Sequence, residues 1–167
     1  AKYIIAGPET VYPNPDALGN AWLVDTVAYV ANADAEMDAL SVIDPAHQAV
    51  ADTRFANTLG RKFLPKAVGD TIYETSYAPD RLAYKARTAD GGVAVFSEVY
   101  FPWGWKATVD GKEMPIARVN YLLRALRLPA GEHEIVFEFK PQSIKVTTTV
   151  AYVAIGLIYL CVVLLAV

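Results

Sequence analysis

The chain has 167 residues, enough for one domain with a short appendage. Its formal net charge of −3 at pH 7 argues against nucleic acid as a partner, because nucleic-acid binding requires a basic surface. The single cysteine excludes an intrachain disulfide, and it forms no metal-ligand spacing with the two histidines. We therefore predict neither a metal site nor a cofactor.

The apolar share of the sequence, 54%, is high for a water-soluble domain, and the C-terminal tail explains it. Residues Val146–Val167 contain no charged side chain, and about 20 apolar residues suffice to cross a bilayer. The alternative is a buried core helix, which would need a much larger protein around it. We predict a globular domain over residues 1–145 and a truncated transmembrane helix over 146–167, and we expect the natural protein to extend beyond both ends.

The first part of the chain predicts short strands and one helix. Ala1–Ala6 suits an entering strand, and the prolines within Gly7–Gly19 indicate a loop. An apolar strand is predicted over Asn20–Val30. Asn32 is a good N-cap for a helix over Ala33–Ser41.

The spacing of Ala33, Met37 and Leu40 predicts that these side chains form the inner face of that helix. Ala46–Ala51 predicts a short strand. Residues 52–70 have no clean period and are interrupted by glycine and proline, so we predict a long surface excursion there.

The sheet resumes with strands predicted over Thr71–Tyr77 and Arg81–Arg87, joined by a turn at Ala78-Pro79-Asp80. Side chains alternate along a strand, which places Leu82, Tyr84 and Ala86 inward and Ala83, Lys85 and Arg87 outward. The turn Asp90-Gly91-Gly92 then leads into a strand over Val93–Tyr100.

A hairpin is predicted around Asp110-Gly111, a dipeptide that accepts the positive φ values of a type I′ turn. The register that follows pairs Val109 with Lys112, Thr108 with Glu113, Ala107 with Met114 and Trp105 with Ile116. This register sorts both strands into an apolar and a polar face, and a slip of one residue would mix the two.

A second hairpin is predicted from Leu126–Leu128 through Pro129-Ala130-Gly131-Glu132 to Ile135–Phe139, because proline and glycine suit the turn between two alternating strands. Several short strands joined by turns, with one short helix, indicate a mainly β fold. We predict an antiparallel β-sandwich followed by a C-terminal transmembrane helix.

Aromatic and polar side chains that could bind a ligand lie in and between these hairpins. Arginine presents a planar fork suited to phosphate, and asparagine both donates and accepts. Tyrosine and tryptophan offer faces for stacking on a sugar, and they also favour the membrane interface, so Trp103 could contact either a sugar or a lipid headgroup. The predicted binding residues are Tyr100, Trp103, Arg118, Asn120, Tyr121 and Arg124. The alternative is structural: the rings pack in the core, and the arginines lie at solvated edges or pair with Glu98, Glu132 or Glu134.

No catalytic residue is predicted. Glycoside cleavage needs two carboxylates held at a defined separation, but Glu98, Asp110, Glu113 and Glu132 each have a structural explanation at a turn or on an exposed strand face. The sequence contains no G-x-S-x-G elbow, no P-loop and no G-x-G-x-x-G.

Six segments, in this order along the chain, carry a resemblance to a known family. They are GNAWLV (Gly19–Val24), ADAEMDAL (Ala33–Leu40), DPAHQAVAD (Asp44–Asp52), TSYAPDRLAY (Thr75–Tyr84), VFSEVYFPWGWKATVDGK (Val95–Lys112) and RVNYLLRALRLPAGEHEIVFEFKP (Arg118–Pro141). Together they resemble the C-terminal extracytoplasmic part of the YfhO family of polytopic bacterial membrane proteins.

The resemblance implies a parent similar to multi-spanning glycosyltransferases that take sugar from a lipid carrier, some of them linked to cell-envelope polymers. Their catalytic acid is expected in an early extracytoplasmic loop, which these 167 residues do not include. The implied function is a non-catalytic accessory domain on the extracytoplasmic side of the cell membrane. Its implied partners are the lipid bilayer, the rest of the polytopic protein, and a glycan or lipid-linked sugar. The alternative is a membrane-tethered carbohydrate-binding or scaffolding module without transferase activity.

Overall fold

The computed structural model describes residues 2–165, apart from the side chains of Gln142 and Lys145. Ala1, in the predicted first strand, and Ala166 and Val167, in the predicted membrane helix, lie outside the described residues. The strands are β1 Tyr3–Gly7, β2 Thr10–Pro13, β3 Ala21–Val24, β4 Thr26–Val30, β5 Gln48–Asp52, β6 Thr71–Ala78, β7 Arg81–Thr88, β8 Gly92–Val99, β9 Trp105–Val109, β10 Lys112–Met114, β11 Ala117–Val119, β12 Leu123–Leu128 and β13 Gly131–Phe139. The helices are α1 Ala33–Leu40, α2 Ala56–Leu59 and α3 Gln142–Leu165, with a 3-10 turn at Thr53–Phe55.

Two antiparallel sheets form a sandwich, which confirms the predicted mainly β fold. The first has the strand order β10-β9-β13-β7-β6, and the second has the order β11-β12-β8-β3. Tyr84, Phe96 and Phe137 meet edge to face between the sheets, with ring centroids 4.8–6.1 Å apart and no exposed surface. Edge-to-face contact is a favourable geometry for aromatic rings, and these three rings are the centre of the core.

A third layer covers the outer face of the four-stranded sheet. There β4 and β5 pair in parallel, with α1 as the connection between them. The buried side chains of this layer pack with those of β8, β11 and β12 in a second apolar cluster. The predicted strand over Asn20–Val30 is therefore two strands: the chain leaves the sandwich at Asp25, whose backbone N–H donates to the carbonyl of His47 at 2.7 Å.

The Asp110-Gly111 hairpin is confirmed. Its φ angles are 52° at Asp110 and 78° at Gly111, as a type I′ turn requires. The ladder pairs Lys112 with Val109, Glu113 with Thr108 and Met114 with Ala107. Ile116 lies beyond the end of β10, so its predicted pairing with Trp105 does not form, although both side chains pack against the core.

Valine at position 111 should lower the free energy of unfolding by about 1–3 kcal/mol, because a β-branched residue is strained at positive φ. No atom lies within 4 Å of the Cβ that Gly111 would gain, so the expected loss comes from the backbone alone. A melt of Gly111→Val beside Lys112→Val, which adds the same side chain in ordinary strand geometry, isolates this effect. Equal melting temperatures would contradict the turn assignment.

The predicted second hairpin is wrong. Strand β12 pairs with β8 and β11, whereas β13 pairs with β7 and β9 in the opposite sheet. Pro129-Ala130 therefore carries the chain across the core from one sheet to the other. Leu126 and Phe137 are both buried in the cluster between the sheets, and an alternating pattern of this kind is the same for a hairpin and for a crossing.

A hairpin forms instead between β11 and β12, in the stretch that lies between the two predicted hairpins. Arg118 pairs with Arg124 in its ladder, and its turn has positive φ at Asn120 (51°) and Tyr121 (67°). Asparagine tolerates this conformation better than most residues. The turn therefore presents Tyr121 and Leu122 at one end of the four-stranded sheet.

Four further expectations need correction. Strand β2 lies in the predicted loop and pairs with β1, and α2 with its buried Leu59 lies in the predicted surface excursion. Ala83 is buried although it was assigned outward, because its small side chain lies between Val136 and Ser76 of the neighbouring strands. The predicted inner face of α1 is wrong at Met37, which is exposed; Ala33 and Leu40 are half-buried, and the fully buried side chain of the helix is Glu36. The strand predicted at Ala46–Ala51 is confirmed as β5, with its bounds moved by one or two residues.

Candidate functional site

An open depression of about 560 Å³ lies at one end of the sandwich. Three segments meet there: the 3-10 turn, the β11–β12 hairpin and the loop over residues 100–105, called the aromatic loop below. The lining residues are Arg54, Phe55, Tyr100, Pro102, Trp103, Arg118, Tyr121 and Leu122. Four of the six predicted binding residues are therefore together in one place.

The aromatic loop is held against the β11–β12 turn by its backbone. The N–H of Tyr100 donates to the carbonyl of Leu122 at 2.8 Å, and the Tyr100 ring meets Phe55 edge to face at 5.7 Å. Trp103 contacts the Phe101 ring at a centroid distance of 5.2 Å and is otherwise 76% exposed. A large aromatic face is thus fixed in position and open to solvent or a ligand.

Arg118 is positioned by a buried carboxylate. Its Nη2 donates to Oε2 of Glu36 at 2.7 Å, and the backbone N–H of Tyr121 donates to Oε1 of the same residue at 2.8 Å. Glu36 has no exposed surface. A buried carboxylate is stable only when it is paired and hydrogen-bonded. Glu36 lies on α1 and finds both its cationic partner and its backbone donor on the β11–β12 hairpin. The guanidinium also lies 5.6 Å from the Tyr121 ring centroid, so arginine and ring form one unit in the wall of the depression.

Asn120 and Arg124 do not line the depression. Asn120 ties its hairpin to β5, because its side-chain oxygen accepts from the N–H of Val50 at 2.9 Å and its own N–H donates to the carbonyl of Val50 at 2.7 Å. Arg124 is 2% exposed, and its guanidinium stacks 4.1 Å from the Trp105 ring centroid. Burial lowers the pKa of the Arg124 guanidinium, and the nearby Glu98 carboxylate opposes that shift.

The expectation of solvated arginines is wrong for both Arg118 and Arg124. The Arg124 Nη2 lies 3.9 Å from a carboxylate oxygen of Glu98, one of the predicted partners. The partner of Arg118 is Glu36; 82 residues separate the two, so no local pattern indicates that they pair.

Sequence reasoning also missed Arg54 and Phe55. Both lie in the 3-10 turn, in a stretch where no period was visible. The Arg54 guanidinium is 4.9 Å from the Phe55 ring centroid and half exposed, so it adds a second positive charge to the rim of the depression. Among the described residues, none that lines the depression carries a carboxylate or is a histidine. Its side chains offer stacking, apolar contact and cationic hydrogen bonding, and the only ionisable groups besides arginine are tyrosines.

The aromatic loop lies beside the start of α3. The N–H of Lys140 donates to the carbonyl of Gly104 at 2.7 Å, and the Phe139 ring contacts those of Phe101 and Trp105 at 6.3 and 5.3 Å. Helix α3 begins two residues after Lys140. Across residues 2–165, no group of three His, Cys, Asp or Glu side chains is arranged to hold a metal ion.

Helix α3 contains the one stretch of the described chain that is long and apolar enough to cross a membrane. This stretch is Val146–Leu165, with 20 residues and a mean hydropathy of 2.4, and none of its residues is buried within the protein. A helix that is apolar on all sides and covered by no other part of the protein is typical of a membrane span.

Comparison with protein families agrees with this assignment. The family model described as "Bacterial membrane protein YfhO" matches residues 75–151, from within β6 to within α3. The matched region contains the aromatic loop, the β11–β12 hairpin and the strand that leads into α3. Searches of curated proteins and of solved structures found no match.

Proposed function

We propose, from the match of residues 75–151 to the YfhO family of bacterial membrane proteins and from the geometry of the site, that the β-sandwich is a non-catalytic accessory domain that binds a glycan or a lipid-linked sugar. The observation that carries the proposal is the depression lined by aromatic rings and two arginines, next to the start of a membrane helix. Its volume of about 560 Å³ is within the range of roughly 300–1,000 Å³ common for small-molecule sites.

The chemistry of the lining suits a phosphorylated sugar. Trp103 and Tyr121 are both exposed, so their faces are accessible for stacking on a sugar ring. Arg118 is already oriented by Glu36. Arg54 lies half exposed at the rim, where its Nε is 3.8 Å from a carboxylate oxygen of Asp52 and its outer N–H groups can reach a ligand. Guanidinium groups bind phosphate oxygens through paired hydrogen bonds. Asn120 and Arg124 are left out of the proposed contact set, since they support the hairpin and the core.

On this proposal the domain is extracytoplasmic and part of a glycosyltransferase-like membrane protein whose transfer chemistry takes place outside the 167 residues. A lining without a carboxylate or a histidine is consistent with binding rather than acid–base catalysis. The alternative, a tethered carbohydrate-binding or scaffolding module, differs only in lacking transfer activity. Measurement of sugar transfer by the intact protein would therefore separate the two.

The binding test uses the full chain in detergent micelles, titrated with a short-chain polyprenyl-phosphate sugar and, separately, with the sugar alone. Trp103→Ala and Arg54→Ala should each weaken binding about tenfold, which corresponds to the loss of one stacking or charged contact. Both side chains are largely exposed, so the melting temperature should stay nearly unchanged.

The matched control is Tyr77→Ala, which removes an equally exposed aromatic ring from β6, away from the depression. Its affinity should equal that of the wild type. Equal affinity in all three variants, or no measurable binding by the wild-type chain, would overturn the proposal.

A further inference from the structure

Exposed apolar side chains gather at the end of the sandwich that faces α3. Phe101 and Trp103 in the aromatic loop and Leu122 in the neighbouring turn are all open, although each is large and apolar. Single exposed apolar residues are ordinary, but adjacent ones held by a common backbone contact mark an interaction surface. The contact here is the hydrogen bond from Tyr100 to the carbonyl of Leu122.

This surface is tied closely to the membrane helix. Strand β13 belongs to the sandwich, and the bond from Lys140 to Gly104 fixes its end to the aromatic loop. A Cβ on Gly104 would lie 2.2 Å from the Phe139 ring, so loop and strand end are in close contact there. Trp103 and Ser143 line the same shallow depression, which brings the indole beside the first turn of α3.

The depth of the loop follows from helix geometry. Four residues separate the start of α3 at Gln142 from the start of the apolar stretch at Val146, a rise of about 6 Å at 1.5 Å per residue. The polar layer on each side of the hydrocarbon core is about 5–8 Å thick. If Val146 enters the hydrocarbon, the loop beside Gln142 therefore lies at the level of the lipid headgroups.

We propose that Phe101, Trp103 and Leu122 form a second membrane contact, inserted into the headgroup layer of the bilayer that α3 crosses. Tryptophan concentrates at this layer because its ring is apolar and its N–H is polar. The bilayer is favoured as the partner of this surface because the apolar, membrane-crossing stretch of α3 begins about one helical turn from the aromatic loop. The domain then has one fixed orientation, with the depression opening at the membrane surface.

This proposal depends on α3 spanning a membrane and does not depend on sugar binding. The test uses the full chain in phosphatidylcholine vesicles without any sugar, so failure here and failure of the proposed function remain distinguishable. Vesicles carry lipids brominated at the first or the last part of the acyl chain, which quench tryptophan fluorescence at known depths. Lipids brominated near the headgroup should quench the wild-type chain more strongly than lipids brominated near the chain end.

Two matched variants show which tryptophan is quenched by the brominated lipids. Trp103→Phe should lose most of the quenching, whereas Trp22→Phe should keep it, because the Trp22 indole N–H is bonded to the carbonyl of Pro45 in the third layer. Quenching that is equal in Trp103→Phe and the wild type would overturn the proposal. A Trp103 that cross-links to another protein and is not quenched by lipid would overturn it equally, since the occupant would then be a protein.

Discussion

Alanine at position 118 should lower the free energy of unfolding by about 3–5 kcal/mol, the usual loss when one partner of a buried ion pair is removed. The variant keeps Glu36 at a site with no exposed surface but removes the guanidinium 2.7 Å from its Oε2. Among the residues that the structure describes, the backbone N–H of Tyr121 is then the one hydrogen-bond donor left to that carboxylate. The third layer should loosen first, because this contact joins α1 to the β11–β12 hairpin.

Thermal unfolding of the full chain in detergent would measure this effect. For a domain of this size the melting temperature should fall by on the order of 10 °C. The matched control is Arg87→Ala, which removes an arginine whose pair with Glu132 spans 4.0 Å at the surface. That variant should change stability by less than about 1 kcal/mol. Similar melting temperatures for the two variants would show that Glu36 is not held as described.

Local patterns predicted what local contacts determine. The Asp110-Gly111 turn and its register follow from two turn residues and the alternation beside them; the turn and the three pairs next to it are confirmed. The pairing of strands that are distant along the chain is not indicated by any local pattern. The same alternation around Pro129-Ala130 fits a hairpin or a crossing between sheets, and only the positions of β7, β8 and β9 decide between them.

The candidate site likewise has parts that local sequence predicts and a part that depends on contacts distant in the chain. Tyr100 and Trp103 lie in one loop and Arg118 and Tyr121 in one hairpin, so their proximity within each segment was visible in the sequence. The contribution of the 3-10 turn to the depression was not, because it depends on how the third layer packs on the sheet. The membrane helix was predictable from composition alone, since its environment is the bilayer and not the rest of the fold.

The burial of Arg124 could have been predicted from the alternation of side chains along β12. It lies two and four residues before Leu126 and Leu128 on β12, so it shares their face, which is the face between the two sheets. Its arginine identity suggested the surface, and its position indicated the core. The position was the better guide, because a long side chain can pack its stem and stack its guanidinium on aromatic rings.

Alanine at position 124 should therefore destabilise the domain by about 3 kcal/mol or more. The variant leaves a cavity beside Trp105 and Phe137, whose ring centroids lie 4.1 and 5.5 Å from the guanidinium carbon. It also removes the donor to the carbonyl of Val99, which Nε reaches at 2.8 Å. Glu98 loses a partner as well, but it is partly exposed and can be hydrated instead.

Methionine at the same position is the matched control. It keeps most of the side-chain volume and gives up the charge, and an apolar residue of similar size often replaces a buried charge with little loss. Arg124→Met should accordingly lie within about 1.5 kcal/mol of the wild type, well above Arg124→Ala. A structural role also requires that both variants, once folded, bind the lipid-linked sugar as the wild type does. If Arg124→Ala instead kept the wild-type melting temperature and lost binding, Arg124 would belong to the ligand site and its assignment to the core would be wrong.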